Sequence, residues 1–154
     1  MKIVVWLDDS PESISLEKDV LVPELLADEA YEIKFFETIR ELMEYLYHHA
    51  EEVRKNGIFI IDIMLMENKM ILPNGTEVNI PHRLTAGTIV YLDYLRDAFP
   101  DTPVVLYTSR EHEEKTFQKI TSDPRYGKTL FLVPKWKKDD DFVGVVARLI
   151  KEMK

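Results

Sequence analysis

Apolar residues in this chain fall into short unbroken runs, separated by stretches in which they recur at helical spacing. The first run, Ile3-Val4-Val5-Trp6-Leu7, is rich in β-branched residues and stops at Asp8-Asp9-Ser10-Pro11, as expected of a strand buried on both faces. Ser10 and Pro11 suit the cap and first position of a following helix. Pro23 is placed to end or kink that helix. Tyr31 to Phe36 reads as a second strand, and Ile39, Leu42, Met43 and Leu46 give a helical face behind a candidate Thr38 cap. Ile58-Phe59-Ile60-Ile61, ending at Asp62, is the most apolar run and predicts a central strand.

The second half repeats the pattern. Ile89, Leu92, Leu95 and Phe99 predict an amphipathic helix stopped by Pro100 and Pro103, and Val104 to Tyr107 predicts a fourth buried strand. A helix over 113–120, a strand over 129–133 and a last helix carrying Phe142, Val145, Val146, Leu149 and Ile150 on one face complete five strand-helix units. Alternation of this kind predicts an α/β fold, a parallel sheet covered by helices on both faces. Its functional crevice should lie beyond the carboxyl ends of the strands, where strand order reverses.

At 154 residues the chain can bury one core but hardly two, so 1–154 is expected to be one domain. Its 45% hydrophobic and 31% charged content suits a globular protein. A net charge of −8 argues against nonspecific binding to nucleic acid. The basic cluster Lys135 to Lys138 runs straight into Asp139-Asp140-Asp141, a local dipole rather than a phosphate track. Without cysteine there is neither a disulfide framework nor a thiolate, and the N-terminal apolar run is too short for a signal peptide or a membrane helix. A cytoplasmic protein with no membrane association is expected.

Chemistry collects at one set of strand ends: Asp8-Asp9 after the first strand, Asp62 after the third, Thr108-Ser109 after the fourth, and Lys135 near the fifth. If the first and third strands are neighbours, as in a flavodoxin-like order, three carboxylates converge and repel one another. A divalent cation would relieve that repulsion. Oxygen donors without cysteine or histidine favour Mg²⁺ or Mn²⁺ over Zn²⁺. The plainer alternative is that Asp9 complements the N-terminus of the first helix.

These residues resemble the response-regulator receiver family of two-component signalling, over essentially the whole chain. Val5-Trp6-Leu7-Asp8-Asp9-Ser10 is similar to that family's acidic pair, Ile60-Ile61-Asp62-Ile63-Met64-Leu65 to its phospho-acceptor segment, and Pro103-Val104-Val105-Leu106-Tyr107-Thr108-Ser109 to its fourth-strand motif. The resemblance implies a flavodoxin-like three-layer sandwich with parallel strand order 2-1-3-4-5. It implies that Asp62 accepts a phosphoryl group from a sensor histidine kinase or phosphotransfer protein. Asp9 and Asp62 would bind Mg²⁺ with the Met64 carbonyl, Asp8 would assist through water, Thr108 would hydrogen-bond the phosphoryl oxygens, and Lys135 would supply a pairing cation. It further implies output through a downstream protein target, catalysis limited to self-phosphorylation and self-dephosphorylation, and pairing of two copies through the last units as an option. With the chain stopping after its last helix, a stand-alone receiver is the expectation.

Two features depart from the family. Val133-Pro134-Lys135-Trp136 reverses its lysine-proline order, and a one-residue shift along a strand turns a side chain to the other face unless a bulge or turn restores it. The flexible lysine stem still leaves a salt bridge to the acidic site within reach. The same shift makes Phe131 a candidate for the family's aromatic switch position, beside the plainer role of a core aromatic. The stretch 66–84 is longer than the family's loop. Within it Pro73-Asn74-Gly75 lies between Met70-Ile71-Leu72 and 76–80, which predicts a protruding β-hairpin beside the acidic pocket.

These departures motivate an alternative, a degenerate receiver that serves as a phosphorylation-independent interaction module. A Mg²⁺-dependent phosphohydrolase is disfavoured, because the acid it needs two residues after Asp62 is replaced by Met64. His48-His49 is expected near a helix end rather than at a metal, and His82 and His112 lack relay partners. No phosphate-cradling glycine motif or serine-nucleophile elbow can be assembled.

Overall fold

The computed structural model describes residues 1–81, 86–108, 129–134 and 141–153. Five parallel strands form the main sheet: β1 (Lys2–Leu7), β2 (Tyr31–Phe36), β3 (Gly57–Asp62), β6 (Val104–Thr108) and β7 (Leu130–Pro134), in the order β2-β1-β3-β6-β7. This is the 2-1-3-4-5 order expected of the parallel strands. Two short antiparallel strands, β4 (Lys69–Ile71) and β5 (Glu77–Asn79), lie between β3 and the next helix.

Side-chain alternation explains why the central strands are apolar without interruption. Ile3, Val5, Leu7, Phe59, Ile61, Val104 and Leu106 pack on one face, against helix α2 (Ile39–Asn56) and the helical stretch 86–98, here α3. Val4, Trp6, Ile58, Ile60, Val105 and Tyr107 pack on the other, against the helical stretch 11–25 (α1) and helix α4 (Asp141–Glu152). Each central strand therefore feeds two cores, and a polar residue at a strand end inherits the face of its parity. β2, at the edge, is half-buried throughout.

The helices depart locally from the sequence expectations. Ser10 makes no side-chain cap hydrogen bond to α1; Pro11 opens a 3-10 turn instead, and the Ser10 amide donates to Asp8 Oδ1 at 2.7 Å. Pro23 does not end α1: a π turn, Glu17–Leu21, precedes it and α geometry continues over Val22–Leu25. A wide turn is one way to accommodate a proline that cannot donate within the helix. In α3 a π turn at Tyr91–Leu95 shifts the buried face, so Val90 and Tyr91 enter the core while Ile89 and Leu92 are half-buried. Thr38 caps α2 as expected, its side chain accepting from the Glu41 amide at 3.1 Å. His49 sits at a break inside α2 (φ −128°, ψ 16°) and not at its end, stacked on Tyr45 with ring centroids 4.5 Å apart.

The hairpin forms where Asn74-Gly75 predicts it, with Gly75 at φ +89°. It does not simply protrude. Met70 and Ile80 are 1% and 3% exposed and belong to the same core as Val90 and Leu65, so one side of the hairpin is embedded in the domain. Strict alternation over so few residues gives each short strand one inward position. No helix among the described residues is long and apolar enough to cross a membrane.

Candidate metal centre

β1 is the point from which the chain steps to β2 on one side and β3 on the other. Leu7 pairs with Ile61 in register, so Asp8 and Asp62 emerge from adjacent strand ends. One ligand oxygen from each of Asp8, Asp9 and Asp62 lies within 4.8 Å of the others. The strand ends thus bring together the three carboxylates singled out from the sequence. An octahedral Mg²⁺ with bonds of about 2.1 Å spans oxygens up to about 4.2 Å apart, so the cluster is close to one ion's size. The donor set is all carboxylate, which suits a hard cation and offers nothing to a soft one.

Each carboxylate is held differently. Asp8 is buried; its Oδ1 accepts from the Ser10 amide at 2.7 Å, and its Oδ2 accepts a short hydrogen bond from the Tyr107 hydroxyl. Trp6 Nε1 donates in turn to the Tyr107 oxygen at 3.1 Å. Parity places Trp6, Asp8 and Tyr107 on the same side of the sheet, and Asp62 pairs with Tyr107 in register. Burial, foremost, together with the charges of Asp8 and Asp62, pushes the Tyr107 phenol well above its ordinary 10.0, so it stays protonated and donates.

Asp9 and Asp62 are half-buried. Asp62 Oδ1 accepts from the Met64 amide at 3.2 Å, and Asp9 Oδ2 accepts from the Met66 amide at 2.8 Å. The hairpin segment is therefore tied directly to the acidic cluster. Glu67 continues the link: its carboxylate accepts from the Ile39 amide at 2.7 and 3.0 Å, occupying the N-terminus of α2. Burial raises the Glu67 pKa, partly countered by the Ile39 and Arg40 amides, with Asp9 and Glu41 adding to the rise.

The same architecture occurs in solved structures. The response regulator protein TrrA from Thermotoga maritima, in complex with Mg²⁺-BeF, matches over 97% of this chain and 99% of its own at TM-score 0.55 and 15% identity. The bacteriophytochrome response regulator RtBRR matches over 100% of this chain and 80% of its own at TM-score 0.56 and 17% identity. This chain has the receiver fold. No protein-family model matches its sequence, and no curated protein sequence does.

Within the receiver fold, the remaining expected residues are placed unevenly. Thr108 ends β6, beside the β3 end that carries Asp62, and its backbone alone is described. Lys135, Ser109, His82, His112 and the helix expected over 113–120 lie outside the described residues. Phe131 packs into the core on the Trp6 side.

Sequence reading missed Tyr107, Met66 and Glu67. Tyr107 looks like one more apolar strand residue, and only its register with Asp62 reveals a polar role. Met66 acts through its amide, which no side-chain pattern encodes. Glu67 is one of two acids in the stretch 66–84, beside Glu77, and its partner lies at the start of a helix distant in sequence, so nothing local singled it out. Met66 also exposes 63% of its surface, on a groove of about 970 Å³ between α2 and the hairpin that includes Tyr47, Ile71 and Leu72.

Proposed function

We propose that this chain is a signalling receiver in which Asp62 accepts a phosphoryl group, with Mg²⁺ or Mn²⁺, from a phosphohistidine of a sensor kinase or phosphotransfer protein. The observation that carries the reading is the convergence of the Asp8, Asp9 and Asp62 carboxylates within 4.8 Å. The receiver fold supports it, and so does the Mg²⁺-BeF bound by TrrA, one of the structures that shares that fold.

In this reading Asp9, Asp62 and the Met64 carbonyl hold the cation, and Asp8 supports it through water. The cation would neutralise charge gathering on the transferring phosphoryl group. An Asp62 oxygen attacks phosphorus, the phosphorus–nitrogen bond of the donor breaks, and its electron pair returns to the imidazole, which takes up a proton. The product is an acyl phosphate on Asp62. The Met64 amide donates to Asp62 Oδ1 and helps to orient the carboxylate that acts as nucleophile. Lys135 and Thr108 are assigned the pairing cation and the phosphoryl hydrogen bond. Output then passes to a downstream protein by contact, in the cytoplasm.

Treatment with beryllofluoride or a small phosphodonor and Mg²⁺, followed by intact mass and NMR, tests this on wild type and Asp62→Asn. A Mg²⁺-dependent adduct lost in the variant is expected. One observation favours a second reading, a phosphorylation-independent interaction module: Asp8 and Asp9 oxygens already accept hydrogen bonds from Tyr107, Ser10 and Met66. No adduct at millimolar donor would reject phosphoryl acceptance in favour of that module.

A further inference from the structure

We propose that Tyr107, backed by Trp6, is a positioning residue for Asp8, holding its carboxylate in the orientation from which it serves the cation. The inference rests on the cation reading given above.

The three groups form one buried line. Trp6, Tyr107 and Asp8 are 0%, 1% and 1% exposed, so no bulk water competes for their polar atoms. The indole N–H donates to the phenol oxygen, and the phenol donates to Asp8 Oδ2. Indole can only donate and a carboxylate can only accept, so the phenol between them has a single consistent direction. With the Ser10 amide on Oδ1, the carboxylate plane of Asp8 is fixed from both ends. Groups that hold a metal-site carboxylate from behind set its orientation and basicity.

The rings themselves are immobilised. Phe142, from α4, lies 4.7 Å from the Tyr107 ring and 5.9 Å from the Trp6 ring, centroid to centroid, so neither can swing without displacing that helix. An apolar side chain at position 107 would fill the core equally well but would leave Asp8 buried with one donor fewer. A solely structural role for the line predicts stability effects. A positioning role predicts that the indole senses the cation, because a charge drawing on Asp8 changes the donor bond that Tyr107 makes and hence the one it receives.

The experiment is a Mg²⁺ titration followed by calorimetry and by NMR of the indole N–H groups. The chain has two tryptophans, Trp6 and Trp136, and Trp136→Phe assigns the Trp6 resonance by elimination. In wild type, Mg²⁺ is expected to shift the Trp6 indole resonance with the same midpoint as the calorimetric binding curve. In Tyr107→Phe the affinity should fall by about 10-fold or more, a typical loss when a support of a metal ligand is removed. The indole should then no longer respond. Trp6→Phe, which keeps the phenol on Asp8, should weaken binding less than Tyr107→Phe.

The wild-type titration stands even if a variant fails to fold. Calorimetric binding with a stationary Trp6 resonance overturns the positioning inference alone. So does a folded Tyr107→Phe that binds Mg²⁺ as wild type does. Absence of Mg²⁺ binding by wild type overturns the cation reading and this inference together.

Discussion

Gly87 at the start of α3 lies directly beneath the Asp62 backbone: a β-carbon there would come 2.3 Å from the Asp62 carbonyl oxygen and 2.7 Å from Ile63 Cα. The Gly87 amide donates to the Ile63 carbonyl at 2.7 Å. The end of β3 and the first turn of α3 are thus in backbone contact, and the obstacle to any side chain is rigid. Gly87→Ala should destabilise the protein by about 1–3 kcal/mol, the usual cost of overpacking, and should disturb the acidic cluster proposed to hold the cation as well. Urea denaturation reads the first effect and Mg²⁺ calorimetry the second. An alanine variant unchanged in both would mean that the two segments separate easily.

Tyr107 gives stability a dependence on alkaline pH. Its phenol ionises near the ordinary 10.0 once unfolded but resists ionisation when buried beside Asp8 and Asp62. The folded state therefore binds the proton more tightly. Its contribution is intact below pH 10.0 and is lost as pH rises from there towards the folded value. The stability of wild type should consequently fall faster above that pH than that of Tyr107→Phe. Parallel slopes for the two proteins in thermal melts across this range would contradict the burial of the hydroxyl.

Glu67 behaves in the same sense in acid. Its carboxyl is raised from 4.5, chiefly by burial and further by the Asp9 charge. Its contribution is full below 4.5 and declines as pH climbs through the raised value. The melting temperature of wild type, taken relative to Glu67→Gln, should drop as pH rises through that window. Glutamine keeps an oxygen for the Ile39 amide, so the α2 cap should survive and the difference isolates the charge.

Met70 tests how the hairpin belongs to the fold. Buried in the core that also holds Leu65 and Val90, it should cost about 2–5 kcal/mol when replaced by alanine. Ile71→Ala, on the exposed side of the same strand, should be nearly silent. Equal, small effects for both would mean that the hairpin stands free of the core. Deleting 68–81 removes Met70 and Ile80 together and is expected to destabilise the domain and, under the proposed receiver function, to alter the rate of phosphoryl acceptance.

Much of the fold was legible because its cause is local and repetitive. Runs such as Ile58 to Ile61, short and rich in β-branched residues, favour strands covered on both faces, and the helical spacing between them supplies the cover. The acidic cluster was legible for the same reason: strands in this order must bring the residues after β1 and β3 together. The cap at Thr38 and the turn at Asn74-Gly75 are encoded within a few residues and were found as expected.

What escaped depends on contacts between segments distant in the chain. The role of Tyr107 arises because β6 lies in register with Asp62 and faces the side of Trp6 and Asp8. The hairpin looked free-standing because its sequence shows a turn but not the core that receives Met70 and Ile80. The π turns in α1 and α3 rotate helix faces by amounts that no periodicity specifies. Local pattern decided which strands exist, which ends are acidic and where the turns fall, since backbone preference and amphipathicity act over a few residues. Tertiary structure alone decided which hydrogen bonds hold those acids, because a donor such as the Met66 amide or the Tyr107 hydroxyl becomes a partner only when packing brings it within reach.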